Sequence, residues 1–236
     1  MELQNKTLGE IVTADFRTSR VFQQFGIDFC CGGKVNFNEA CVKAGLDPEN
    51  VEKEILSVTG PKPEVDYDTL SPSALIAFIL EEHHEYVRSE SLPLKALAEK
   101  VSRVHGDSHP ELAEVASIVD FIMADMDNHQ AKEERILFPF IDAMEQSILS
   151  GSEVPTGCFG DVQNPIRMME HEHDQVGALL FRLQELTENY TLPEDACQSY
   201  AMLYKRLEAF QNNTFRHVHL ENNILFRKAI AMQSSL

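Results

Sequence analysis

The chain has 236 residues, enough for one large domain or for a domain of ordinary size with a small appendage, and its 43% apolar content can fill a genuine core. Its 38 acidic against 20 basic side chains give a net charge of −18 with no Lys/Arg cluster, which argues against a nucleic-acid or anionic-membrane surface and reads as a well-solvated one, with attraction of cations the minor alternative. No run approaches the roughly 18 to 20 apolar residues of a membrane span. The N-terminal Met1-Glu2-Leu3 lacks a secretory signal and the five cysteines form neither a zinc-type nor a disulfide set, so a cytoplasmic protein with reduced thiols is expected.

Residues 1–58 read as a small helical domain. Thr7-Leu8-Gly9-Glu10 is a capping box, Gly26 can end a second helix, Asn36 or Asn38 can start a third, and Asp47-Pro48-Glu49 caps a fourth. Between the second and third stands Cys30-Cys31-Gly32-Gly33, a tight turn that presents at least one thiol. Its plain reading is a packed cysteine; its chemical reading is a thiol for metal or redox work. Cys41, Cys158 and Cys197 carry no motif. Residues 59–70, with Gly60, Pro61 and Pro63, read as a linker.

Residues 71–236 read as four amphipathic helices in an up-down bundle. Helix A spans about 72–90 with Ile76, Leu80 and Val87 on one face, and Pro93 either kinks it or separates a further short helix. Helix B follows Pro110 with a seam of Val115, Val119, Ile122, Met126, His129, Glu133, Ile136 and Phe140, and Pro139 should kink or end it. Helix C starts at Asn164-Pro165 with Ile166, Met169, His173, Val176, Leu180 and Leu183, and helix D follows Pro193 with Leu203, Leu207, Phe210, Thr214, His217, Glu221 and Ile224. The fold class is all-α.

The chemistry lies in the seams. His129-x-x-x-Glu133-x-x-Ile136-Leu137-Phe138 recurs as His217-x-x-x-Glu221-x-x-Ile224-Leu225-Phe226, and positions four apart share a helix face. His84 and His173 take matching places on the other two helices: the interval from His84 to His129 equals that from His173 to His217 to within one residue. Periodicity admits His83 as well as His84, and the spacing favours His84. Four imidazoles and two carboxylates in one core require cations to compensate them, and two ions with bridging glutamates fit the count. Nitrogen and oxygen donors without seam thiolates suit iron, manganese or zinc, and di-iron is the reading adopted. A ferritin-like scheme would instead use Glu81-x-x-His84 and Glu170-x-x-His173, leaving His129 and His217 unexplained. Glu134 and Asp174 are candidate supports beside the ligands.

An N-terminal "DFCCGG" unit followed by a bundle with "HxxxEExILFP" and "HxxxENNILF" resembles the iron–sulfur cluster repair di-iron proteins, the repair-of-iron-centres family, over nearly the whole chain. The resemblance implies a hemerythrin-like bundle in which two non-haem iron ions, oxo- and carboxylate-bridged, are bound by His84, His129, Glu133, His173, His217 and Glu221, with the family's cysteine pair at Cys30 and Cys31. It implies repair of clusters damaged by nitric oxide or oxidants, with damaged iron–sulfur proteins as partners, nitric oxide or dioxygen as small ligands, and room for a homodimer. Arg227-Lys228 replaces the Pro139-Phe140 of the first copy, a departure that leaves the ligands untouched. A hemerythrin-type gas-binding or sensing module and a di-iron nitric oxide reductase are the competing functions.

Overall fold

The computed structural model describes residues 3–58, 66–153, 157 and 159–235. Cys158 and most of the expected linker, residues 59–65, lie outside the described residues. The described residues form helices with no strand beyond an isolated antiparallel bridge between Thr7 and Asn36, so the all-α expectation holds. The chain divides into two compact units, Met1–Leu75 with Arg216–Leu236, and Ile76–Phe215.

The first unit begins with α1 (Leu8–Ala14), closed by the Thr7/Glu10 capping box, and α2 (Ser19–Gln24), after which Gly26 turns the chain at φ 66°. A 3-10 turn at Gly32–Lys34 follows the cysteines. Next come α3 (Phe37–Lys43), capped by Asn36, and α4 (Pro48–Ser57), capped by Asp47 with proline in its first turn. Helices this short depend on shared burial. Phe22 supplies it, stacking on Phe29 at 6.2 Å and meeting Phe37 edge-on at 6.4 Å between ring centroids. The same unit contains the end of α10 (Gln198–Leu220), a π-helical turn at Glu221–Leu225 and α11 (Phe226–Ser234). Arg216 lies over the Phe16 and Tyr67 rings at 5.3 and 5.2 Å.

In the second unit α5 (Pro72–Ile79) passes through a π-helical turn at Leu80–His84 into α6 (Glu85–His105), which continues through Pro93 without ending. α7 (Glu111–Lys132) passes through another such turn at Glu133–Leu137 into α8 (Phe138–Ser150). Pro139 therefore sits in the first turn of α8, where its missing N–H costs little, and the helix does not stop there. α9 (Gln163–Leu186) follows. α6 packs on α7 and α7 on α9. α10 closes the ring, with Phe215 against Phe181 of α9 and Phe210 stacked on Tyr86 of α6. These contacts make an up-down four-helix bundle. No helix among the described residues is long and apolar enough to cross a membrane.

Two seams differ from the expected pattern. A π turn spends one more residue than an α turn, so beyond Glu133 the buried face of helix B shifts by one place: Leu137 is 1% exposed, while the predicted core residue Ile136 is 47% exposed. Helix A shifts similarly, burying Leu75 and Ile79 and leaving Leu80 only half-buried. Helix D starts at Gln198 rather than directly after Pro193. Before it, Glu188, Asn189 and Tyr190 take consecutive left-handed conformations, each disfavoured by roughly 1–2 kcal/mol. The Tyr190 hydroxyl, which donates to Gln211 Oε1 at 2.8 Å, anchors that run.

Candidate metal centre

In the second unit three imidazoles converge on one carboxylate. His129, on the last full turn of α7, and Glu133, which opens the following π turn, stand four residues apart with Nε2 and Oε1 3.3 Å apart. The other oxygen of Glu133 faces His84, which ends the first π turn, with Oε2 3.4 Å from Nε2. His173 on α9 brings its Nε2 to 2.9 Å from that of His129. All four side chains are buried. One glutamate thus presents each of its oxygens to a different histidine nitrogen, the arrangement of a bridging carboxylate.

The outward nitrogens of the rings are held by acids. Glu134 Oε1 lies 2.8 Å from His84 Nδ1 and accepts from Arg88 at 2.7 Å; Glu172 Oε2 lies 2.9 Å from His129 Nδ1, and its other oxygen accepts from Lys132 at 2.5 Å. The hydrogen bond from His129 holds the Glu172 carboxyl down at about 2 against the opposing effect of burial, with help from Lys132. Burial raises the Glu134 carboxyl, but His84 and Arg88 outweigh it and keep it below the usual range. A carboxylate at Nδ1 keeps the ring proton there and turns the Nε2 lone pair inward. Of the two predicted supports, Glu134 touches a candidate ligand and Asp174 is exposed. Glu172 also supports a candidate ligand, and its only signal in the sequence is its place beside His173.

The first unit holds the second copy of the motif. His217 Nε2 and Glu221 Oε1 are 2.9 Å apart, both fully buried, and Glu221 opens a π turn as Glu133 does. His83, also buried, contacts Asn213 Oδ1 through Nδ1 at 3.1 Å and meets the Phe78 ring, while His84 faces Glu133. Glu81 of the ferritin-like scheme is exposed, and Glu170 falls in neither buried histidine–glutamate group. His171 is exposed beside Gln175. His219 is buried between Thr13 Oγ1 at 3.4 Å and Asn223 at 3.2 Å, and burial holds it down at about 3.

The cysteine turn is built on Asp28, whose Oδ1 accepts the backbone N–H groups of Cys30 and Cys31 at 3.1 and 3.0 Å and the Cys30 thiol at 3.3 Å. The two sulfurs lie 3.9 Å apart. Contact with the Cys31 thiol, burial and the Asp28 carboxylate push the Cys30 thiol well above its ordinary range. Asp28, Cys30 and Cys31 form a third cluster with metal-ligand chemistry.

Comparison with known proteins places both halves. The family model described as Hemerythrin HHE cation binding domain matches residues 75–229, and a Domain of Unknown function (DUF542) matches residues 4–59. An Iron-sulfur cluster repair protein YtfE of Yersinia pseudotuberculosis serotype O:1b (strain IP 31758) is 36% identical over 231 residues, 98% of this chain and 99% of the relative. The protein of the same name from Yersinia pestis (strain Pestoides F) matches with the same identity and coverage. The chain belongs to the iron–sulfur cluster repair protein family. In this family member the cysteine pair lies within the first matched domain and all six candidate ligands lie within the second. The hemerythrin-like domain is a cation-binding domain, and its buried histidine and glutamate groups are compatible with a di-iron site. The donors, imidazole nitrogen and carboxylate oxygen without thiolate, fit such a metal pair chemically.

Proposed function

We propose that His84, His129, His173 and His217 serve as terminal ligands and Glu133 and Glu221 as bridging ligands of two non-haem iron ions. The protein would use this centre to repair iron–sulfur clusters damaged by nitric oxide or oxidants, by supplying iron. The observation that carries the reading is Glu133, buried, with one oxygen toward His84 Nε2 and the other toward His129 Nε2. The exact recurrence of the His-x-x-x-Glu spacing at His217 and Glu221 supports the second bridge, and the printed name of the relatives, iron-sulfur cluster repair protein, supports the activity.

Bound iron would supply an exchangeable, redox-active metal pair with coordination positions for nitric oxide or dioxygen. The chain's own residues do the rest. Glu134 and Glu172 keep the ring protons at Nδ1 and orient the imidazoles, and Phe138, stacked on His84 at 5.6 Å, shields that ring from water. Cys30 and Cys31 are the residues we assign to receiving or releasing iron in the N-terminal domain, residues 1–58. The setting is the cytoplasm, and the partners are damaged iron–sulfur proteins.

The deciding experiment adds the iron-loaded protein to an iron–sulfur enzyme inactivated by nitric oxide. Activity should return with the native chain and fail to return with a Glu133→Leu, Glu221→Leu double variant. Equal recovery with both, or tight iron retention with only reversible spectral change on gas exposure, would overturn the repair reading.

A further inference from the structure

Away from the buried histidines, the end of the second unit carries a separate group of titratable and nucleophilic side chains. Cys197, exposed, immediately precedes α10, and its Sγ lies 3.1 Å from Nε2 of His105, the last residue of α6. The contact is held from both sides. His109 Nε2 lies 2.9 Å from Asp195 Oδ1, two residues before the thiol, and His109 Nδ1 lies 3.2 Å from Glu111 Oε1. The rings of His105 and His109 both meet Tyr200 edge to face, at 5.2 and 5.5 Å. Lys100 donates to the hydroxyl of Ser199, two residues beyond the thiol, at 3.0 Å.

The charged and titratable groups of this cluster are Lys100, His105, His109, Glu111, Asp195 and Tyr200, from α6, α7, α10 and the segments that precede α7 and α10. The backbone N–H of Tyr200 and the His105 ring, with the N–H of Ser199, stabilise the thiolate and bring Cys197 down to about 7 against the opposing effect of burial. The Asp195 carboxylate, with help from Glu111, raises His109 above the ordinary imidazole value. Helix-start amides together with an adjacent imidazole are the surroundings that make a cysteine reactive. Cys30, by contrast, is buried and pushed upward, and Cys41 is buried and raised by that burial.

We propose that Cys197 and His105 form a peroxide-reactive thiol site, distinct from the candidate metal centre and from the Cys30-Cys31 turn. The Cys197 proton passes to His105 Nε2. The thiolate sulfur attacks one oxygen of a hydroperoxide, the S–O bond forms as the O–O bond breaks, and the departing hydroxide recovers the proton from His105 and leaves as water. Sulfur gives up two electrons to become a sulfenic acid, and hydrogen peroxide is reduced to water.

The test follows alkylation by iodoacetamide as a function of pH in the full chain, read at the Cys197 peptide by mass spectrometry. The native protein should give a midpoint near 7 for Cys197. At pH 7 the rate should be about threefold that of an unperturbed thiol, whose thiolate fraction is far smaller although each thiolate is more nucleophilic. In His105→Gln the midpoint should rise and the rate advantage shrink, the part due to the Tyr200 and Ser199 backbone N–H groups remaining. Dimedone trapping after hydrogen peroxide should label Cys197 in the native chain and in Glu133→Leu, Glu221→Leu, and lose most of that label in His105→Gln. A native midpoint near the ordinary thiol value of about 8.5 would overturn the proposal without depending on any variant. So would a Cys197 label that vanishes in the glutamate double variant, because oxidation would then belong to bound iron and not to the dyad.

Discussion

Asn223 donates from Nδ2 to the carbonyl oxygen of Cys30 at 3.0 Å, two residues beyond Glu221. The same amide approaches the Phe29 carbonyl at 3.5 Å and His219 Nδ1 at 3.2 Å, so one side chain links the cysteine turn to the π turn that Glu221 opens. This contact accounts for the second glycine of the Cys-Cys-Gly-Gly sequence. A Cβ on Gly33 would lie 2.0 Å from Asn223 Oδ1 and 2.6 Å from its Nδ2, and the amide is too enclosed to swing clear.

Gly33→Ala should therefore destabilise the protein by about 1–3 kcal/mol through overpacking, and Asn223→Ala by about 1–3 kcal/mol because the Cys30 carbonyl loses its partner. The double variant should cost at least about 0.5 kcal/mol less than the sum, since removing the amide clears space for the new methyl group. Urea denaturation of the three variants measures this directly. Strictly additive costs would mean that Asn223 is not what keeps residue 33 a glycine.

Glu172 is the acid that fixes the ring of His129 and in turn is held by Lys132. If His129 is an iron ligand as proposed, Glu172→Ala should weaken iron binding by about 10- to 100-fold. Asp174→Ala, at an exposed neighbouring position, should leave it unchanged. Competition between each variant and a ferrous chelator reads the difference. Equal affinities would remove Glu172 from any role at the centre.

The π turn at Glu133–Leu137 gives a sharp contrast between adjacent residues. Leu137→Ala should cost about 2–5 kcal/mol as a buried truncation, whereas Ile136→Ser should cost less than about 1 kcal/mol because about half of that side chain already faces water. Thermal and chemical denaturation of the two variants would settle the register of the helix. The reverse order of costs would place Ile136 in the core and refute the extra residue in the turn.

That turn is also where the regular helical period of the sequence ends. Val115, Val119, Ile122 and Met126 occupy the core as a regular helical period requires, and the same period carries His129 and Glu133 to one face. The period fails immediately afterwards, at Ile136. It also leaves His83 and His84 equivalent on helix A, where a π turn at Leu80–His84 then directs His84 to Glu133 and His83 to Asn213. No residue type announces a π turn, because i to i+5 bonding is selected by what the side chains meet across the bundle and not by local propensity.

By itself the sequence determined an all-α chain, a small capped helical unit ahead of a bundle, and a repeated pairing of imidazole with carboxylate. Each follows from local chemistry: caps, prolines, and side chains four residues apart. Only the tertiary structure decided that Glu172 and Glu134 orient the imidazoles, that Gly33 yields its space to Asn223, and that Cys197 lies against His105. Those contacts join residues distant in sequence, and their energies come from close packing and shared protons that no local pattern encodes.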